Sequence, residues 1–143
     1  MPKKNAKSKR ADAERATEWW VRKDLGCVNT IRAVRTKWQY QDLFGADVLG
    51  KKGDGSHVYV QVTAGQANAA LKRRNKLEEM PWHKSDRVFL LRLIQTEDPA
   101  NARKKKWFFR VEEYHNITMW KTWEDAVEIP KLWFTAYKPE KDV

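Results

Sequence analysis

A tight turn between two strand-like runs restricts the fold of this chain more than any other sequence feature. Residues 53–56 read Gly-Asp-Gly-Ser, which is a strong turn signal. Strand-forming residues fill positions 46–52 before the turn and 57–63 after it. The pattern predicts an antiparallel hairpin. In such a hairpin the start of the first strand lies beside the end of the second.

Three oxygen-bearing side chains fall at the open end of this hairpin. Asp47 opens the first strand, and Gln61 and Thr63 close the second. Gln61 and Thr63 are two residues apart, so we expect their side chains on one face of the sheet. Hard cations such as Mg²⁺ take a few oxygen ligands from protein and keep several waters. The sequence therefore predicts a candidate divalent-metal site here, suited to phosphate chemistry.

The rest of the chain predicts helices and strands around this hairpin. Helices are expected at residues 11–25, 66–80 and, near the C-terminus, 122–127. Further strands are expected at residues 27–34, 87–94 and 107–114, and a charged loop at residues 97–106. This order predicts an α/β fold in which a central mixed β-sheet is flanked by helices, in the order αβββαβ with a C-terminal extension.

Length and composition indicate one domain with a polyanionic partner. The 143 residues predict a basic flexible arm at residues 1–10 and a single domain at residues 11–143. Lys and Arg total 29 against 19 acidic residues, a formal net charge of +10. Such a surplus favours nucleic acid, because each neutralised phosphate releases counterions. The alternative is that the charge only keeps the protein soluble.

The number and spacing of cysteines and histidines, together with the hydropathy, argue against a disulfide-linked, zinc-binding or membrane-spanning protein. Cys27 is the only cysteine, which leaves no internal disulfide, and we expect it to be a small core residue. The three histidines are far apart and lack zinc-ligand spacing. No stretch approaches the roughly 18 apolar residues of a membrane span, and the basic N-terminus is not followed by an apolar signal segment. We expect an intracellular protein with no membrane partner.

The arrangement resembles PD-(D/E)xK nucleases, which have the restriction-endonuclease-like fold. Within that superfamily the chain is similar to archaeal-type and phage Holliday junction resolvases over residues 9–94. The resemblance rests on Ala13-Glu14-Arg15 in the first helix, on Asp47 in Ala-Asp-Val-Leu-Gly, and on Gln61-Val62-Thr63 where the family has E-x-K. The block Asp42-Leu43-Phe44-Gly45 is similar to phage members.

The resemblance implies a Mg²⁺-dependent endonuclease, with Mn²⁺ as a possible substitute, that acts as a homodimer on branched double-stranded DNA. The cytoplasm, or the host cytoplasm for a phage protein, is the implied location. The implied metal ligands are Glu14, Asp47, Gln61 and the Val62 carbonyl. Glu18 is an alternative to Glu14, and Asp42 is an alternative to Asp47. Gln61 replaces the family's carboxylate and Thr63 its lysine. Lys72 on the next helix is the candidate replacement lysine, and Lys76 is the alternative, so that the implied catalytic set is Glu14, Asp47, Gln61, Thr63 and Lys72.

Basic residues beside aromatics suggest where DNA would bind. The candidate DNA contacts are Lys9, Arg10, Arg32, Arg35, Lys37, Trp38, Arg73, Arg74 and Lys76. Two neutral residues in the E-x-K position leave a second hypothesis open, a non-catalytic DNA-binding protein of the same fold. A third is a nuclease for other branched or nicked DNA, since fold alone does not decide the substrate.

Overall fold

A computed structural model describes residues 6–35, 40–41, 43, 45–63, 67–98 and 100–138. Its elements, in chain order, are α1 (Ala6–Lys23), β1 (Cys27–Arg32), β2 (Val34–Arg35), β3 (Tyr40–Gln41), β4 (Val48–Lys52), β5 (His57–Thr63), α2 (Ala67–Glu78), β6 (Arg87–Asp98), β7 (Asn101–His115), β8 (Met119–Thr122), β9 (Val127–Glu128) and a 3₁₀ turn at Lys131–Phe134. Among the described residues, neither helix combines the length and apolarity needed to cross a membrane.

A curled mixed sheet with a helix on each side forms the body of the protein. The strand order is β1-β4-β5-β6-β7-β8, and β9 also pairs with β7. All neighbours are antiparallel except β5 and β6, which run parallel. A parallel pair requires a crossover, and α2 is the crossover between β5 and β6. The α/β fold with a mixed, helix-flanked sheet is therefore confirmed.

The first helix covers one face of the sheet with the apolar stripe that its sequence predicts. Ala13, Ala16, Trp20 and Val21 recur at three- and four-residue spacing, and all four are buried. They pack against alternate residues of the central strands, including Phe89 of β6. The helix begins at Ala6 rather than at residue 11, so residues 6–10 are helical where a flexible arm was expected.

One close contact fixes β4 against the start of β1. Cys27 is buried, which confirms the prediction of a small core residue. A Cβ placed on Gly50 would lie 2.7 Å from the Cys27 Sγ and 3.6 Å from Val21 Cγ2, so only glycine fits there. Burial raises the pKa of the Cys27 thiol, although the charges of Lys52, Arg22 and Arg87 act in the opposite direction.

The element order differs from αβββαβ in two places. In the sequence, β2 and β3 come between β1 and β4, and they form a separate two-stranded sheet. The C-terminal extension adds β7, β8 and β9 to the main sheet. The predicted hairpin of residues 46–52 and 57–63 is present as β4 and β5, and its turn closes through a bond from Gly55 N to Lys52 O.

Two local predictions are wrong. The segment 97–106 is not a loop, because β6 and β7 continue to pair as far as Asp98 and Asn101. Backbone pairing does not require apolar side chains, and Lys105 and Lys106 are exposed on this part of β7. Residues 122–127 do not form a helix, since β8 and β9 on either side of them pair with β7. Long-range pairing there overrides the local helix propensity.

Candidate functional site

The Asp47 carboxylate is docked against the end of β5. The β4–β5 ladder ends at the pair Val48–Val60, and Asp47 directly precedes this pair. The Asp47 N–H donates to the Val60 carbonyl at 2.9 Å, and the Val62 N–H donates to Asp47 Oδ2 at 2.9 Å. The carboxylate thus accepts one further hydrogen bond from β5, beyond the last backbone pair of β4 and β5. This confirms that Asp47 lies beside the end of the hairpin partner, and the side chain is only 1 % exposed.

Gln61 and Thr63 are buried polar side chains on the face of the sheet that α2 covers. Their exposed fractions are 6 % and 4 %. Val60 and Val62 belong to the apolar cluster beneath α1. Because strand residues alternate between faces, Gln61 and Thr63 point to the opposite side, where α2 lies. The expected shared face of these two residues is therefore present.

Glu14 lies on the other side of the sheet, in a groove between α1 and β1. The open groove has a volume of about 490 Å³ and is lined by Glu14, Glu18, Thr30, Ile31, Arg32 and Ala33. Glu14 is buried, and Glu18 forms an ion pair with Arg32, with Oε1 and Nε 2.8 Å apart. Glu14 is thus placed on the α1 side, whereas Gln61 and Thr63 are on the α2 side. Over the described part of the chain, no three His, Cys, Asp or Glu side chains are grouped to hold a metal ion.

Of the two candidate lysines, neither points at the sheet. Ala70 and Leu77 are the buried residues of α2. Lys72 is exposed and lies about 200° around the helix from Ala70, so it faces away from β5. Lys76 is also exposed, and its aliphatic chain runs along Gly45, two residues before Asp47. Lys76 is therefore closer to the Asp47 segment than Lys72 is.

The remaining predicted DNA contacts are spread over several elements. Arg74 pairs with Glu112 of β7 through both guanidinium and carboxylate branches, with Nε and Oε2 3.1 Å apart. Arg73 is half-buried on α2. Lys9 and Arg10 lie in the first turns of α1, and Arg35 lies in β2. Lys37 and Trp38, like the alternative ligand Asp42, lie outside the described residues.

Two arginines on the α2 face were not identified from the sequence. Arg92 of β6 is paired in register with Thr63 of β5 and, on its other side, with Arg110 of β7. A small open cavity of about 160 Å³ is lined by Ala70, Leu71, Arg74, Arg92 and Glu112. The one available signal was Arg92 itself, a single charge inside the apolar run of residues 88–94. Charged residues are rarely placed in buried strands without a partner or a function.

Comparisons with known proteins give no relative on which to base a function. No family model matches the chain, and no curated protein or solved structure matches it either. The functional argument therefore rests on the residues of this chain and on their arrangement.

Proposed function

We propose that this protein is a Mg²⁺-dependent endonuclease for branched double-stranded DNA, with a restriction-endonuclease-like fold and a homodimeric state. The observation that carries the proposal is the Asp47 carboxylate docked at the end of β5, where it accepts the Val62 N–H. Asp47, Gln61 and Thr63 are all buried at this one end of the hairpin.

The fold is compatible with this proposal. Elements α1, β1, β4, β5, α2 and β6 follow one another as a helix, three antiparallel strands, a crossover helix and a parallel strand. We propose that these six elements correspond to the αβββαβ order of the nucleases that the sequence resembles, although the observed order differs from it by β2 and β3 after β1 and by β7, β8 and β9 after β6. The proposed substrate class also agrees with the net charge of +10.

The donor set suits a hard cation that is bound weakly. The proposed ligands are Asp47, the Gln61 amide oxygen and the Val62 carbonyl, all of them oxygen donors. Only Asp47 among them carries a charge, which predicts low affinity. Mg²⁺, or Mn²⁺ in its place, supplies Lewis-acid stabilisation of a phosphate that is under attack by water. Glu14 is on the opposite side of the sheet, so we assign it a supporting position rather than direct coordination.

A non-catalytic DNA-binding protein is the second candidate function. The observation in its favour is that Asp47 Oδ2 already accepts the Val62 N–H as part of the β4–β5 ladder. A purely structural carboxylate would make the same contact. The neutral Gln61 and Thr63 fit this alternative as well.

Cleavage of defined DNA structures separates the two candidates. Labelled four-way junction, nicked duplex, matched duplex and single strand are incubated with the protein in Mg²⁺ or in EDTA. The proposal predicts paired symmetric nicks in the junction only when Mg²⁺ is present. Cleavage of the nicked duplex instead would identify a nuclease for another substrate. Junction binding without product at any Mg²⁺ or Mn²⁺ concentration would establish the non-catalytic function.

Two variants of the same hairpin test the site. Asp47→Asn keeps the shape and removes the charge, and we expect cleavage to fall by at least about 100-fold, the scale of losing one electrostatic contribution to catalysis. Asp54→Asn is the matched control. Asp54 is an exposed turn residue of the same hairpin that bonds only to Ser56. Equal cleavage by Asp47→Asn and wild type would reject Asp47 as a ligand, and sedimentation of both proteins checks the homodimer.

A further inference from the structure

We propose that Arg92 binds a backbone phosphate of nucleic acid on the α2 face, beside Thr63. Arg92 would thereby supply the positive charge that the Gln61-Val62-Thr63 segment lacks. The inference rests on the proposed function only in taking DNA as the ligand. It does not depend on whether the protein cleaves that DNA.

The position of Arg92 follows from the sheet register. Thr63 and Arg92 are paired on neighbouring parallel strands. Val62 and Leu91, the residues before them, both belong to the cluster under α1, so Thr63 and Arg92 share the α2 face. Adjacent strands are about 4.8 Å apart, which is within the reach of an arginine side chain. A cation on Arg92 is therefore available at the place where the motif lysine is missing.

Within the described part of the chain, Arg92 has an unsatisfied guanidinium nitrogen. Its Nε is buried and has no hydrogen-bond partner among the described residues. Glu112, the one carboxylate among the described residues that line the same cavity, is bound by both branches of Arg74. A buried N–H donor without an acceptor costs free energy. An anion in the cavity would remove that cost, and the planar guanidinium matches phosphate oxygens particularly well.

A second arginine reinforces the argument. Arg110 lies directly across from Arg92 on β7, so two like charges face each other on one side of the sheet. Such a cross-strand pair is destabilising unless something neutralises it. Arg110 itself only reaches the Glu124 carbonyl at 3.5 Å. Arg110 therefore adds positive charge to the same side of the sheet, while Arg92 is the arginine of this pair that lines the cavity.

DNA binding by matched arginine variants tests the proposal. Affinity for a labelled four-way junction is measured by fluorescence anisotropy over a range of salt concentrations, without Mg²⁺, for wild type, Arg92→Gln, Arg92→Lys and Arg87→Gln. Arg87 is the control because it lies on the same strand but pairs with Glu113, at 3.0 Å and 3.1 Å. We expect Arg92→Gln to bind about tenfold more weakly, with a salt slope lower by about one, and Arg92→Lys to be intermediate. Arg87→Gln should match wild type.

A second experiment tests whether Arg92 binds nucleic acid or free phosphate. The Nε–Hε signal of Arg92, assigned by its loss in Arg92→Gln, is followed by NMR during titration with junction DNA, inorganic phosphate or sodium chloride at equal ionic strength. The proposal predicts a saturable shift with DNA and none with sodium chloride. A shift with inorganic phosphate combined with unchanged DNA affinity in Arg92→Gln would make this a free-phosphate site and overturn the proposal.

The remaining outcomes separate this inference from the nuclease proposal. Unchanged DNA affinity and salt slope in Arg92→Gln, with junction cleavage by wild type, would reject Arg92 and retain the nuclease. Weakened binding in Arg92→Gln, with no cleavage by wild type, would retain Arg92 and reject the nuclease. A wild-type protein that binds no DNA would reject both.

Discussion

The two faces of the central sheet differ in what they bury. Beneath α1 the central strands β5, β6 and β7 contribute apolar side chains, and Val60, Phe89, Leu91 and Phe109 are completely buried there. On the α2 side the same strands carry polar and charged groups, namely Gln61, Thr63, Arg92, Arg110 and Glu112. A single strand contributes to both, since β5 alternates valines with Gln61 and Thr63.

This difference indicates that the faces serve separate purposes. Apolar burial is the main favourable contribution to folding, and the α1 face supplies it. The α2 face has a buried Gln and Thr, and the Nε of Arg92 on this face has no acceptor among the described residues. We infer that the α1 face stabilises the protein and that the α2 face, with Asp47 at its edge, is available for binding.

The largest expected loss of stability comes from removing a large apolar side chain beneath α1. Phe89 packs edge-on against Trp20 and Trp123, with ring centroids 5.2 Å and 6.0 Å apart. Phe89→Ala should lower the free energy of unfolding by about 3–5 kcal/mol. Arg92→Gln on the same strand should not lower it, because the buried Nε that it removes makes no hydrogen bond among the described residues. Urea unfolding followed by circular dichroism measures both, and a larger loss in Arg92→Gln would contradict the division between the faces.

A smaller effect is expected where β4 meets β1. Gly50→Ala would bring a methyl group to 2.7 Å from the Cys27 Sγ, so we expect a loss of about 1–3 kcal/mol from overpacking. Gly53→Ala in the turn is the control, since the nearest atom to its Cβ is 4.0 Å away. Replacing Cys27 by Ala in the Gly50→Ala background should restore part of the stability. Absence of any restoration would show that the strain lies elsewhere.

Asp47 has two separable contributions: it accepts a hydrogen bond from the end of β5, and it is the proposed charged metal ligand. Two variants of Asp47 separate these contributions. Asp47→Ala leaves the buried Val62 N–H without its acceptor and should cost about 1–3 kcal/mol. Asp47→Asn keeps an oxygen acceptor and should cost less. Thermal unfolding of the two variants tests this order. Equal stability of Asp47→Ala and wild type would mean that the bond to Val62 contributes nothing.

The smallest effect concerns pH. Burial raises the pKa of Cys27, so the folded protein keeps the thiol proton to higher pH than the unfolded chain does. The contribution of Cys27 to stability is therefore complete below the ordinary thiol pKa of about 8.5 and declines as pH rises above it. Urea unfolding at neutral and alkaline pH should show a steeper decline for wild type than for Cys27→Ala. Parallel declines would contradict a raised pKa.

Local patterns predicted the hairpin well. Its turn residues and its strand-forming residues are neighbours in sequence, so β5 was predicted as residues 57–63, its observed bounds. The face of α1 was predictable for the same reason, since Trp20 and Val21 lie at helical spacing from Ala13 and Ala16. In each case the interactions that decide the structure are short-range.

Long-range pairing accounts for what the sequence did not reveal. Residues 97–98 and 101–106 are strand because β6 and β7 pair with each other. Residues 122–127 lack a helix because β7 offers a free edge to β8 and β9. The position of Arg92 beside Thr63 depends on the parallel register across α2, which no local pattern reveals. The distance of Lys72 along the helix made it the candidate replacement lysine. The direction of its side chain, however, depends on which side of α2 is buried.

Manganese-induced broadening of amide NMR signals tests most directly whether Asp47 and the end of β5 bind metal. The Val62 N–H is bonded to Asp47 Oδ2, so a paramagnetic Mn²⁺ on this carboxylate must lie close to it. Substoichiometric Mn²⁺ should broaden the amide signals of Gln61, Val62 and Thr63 first in wild type, and should leave them unchanged in Asp47→Asn. Broadening that begins at exposed carboxylates such as Glu124 and Asp125, with Val62 unaffected, would contradict the proposed metal site.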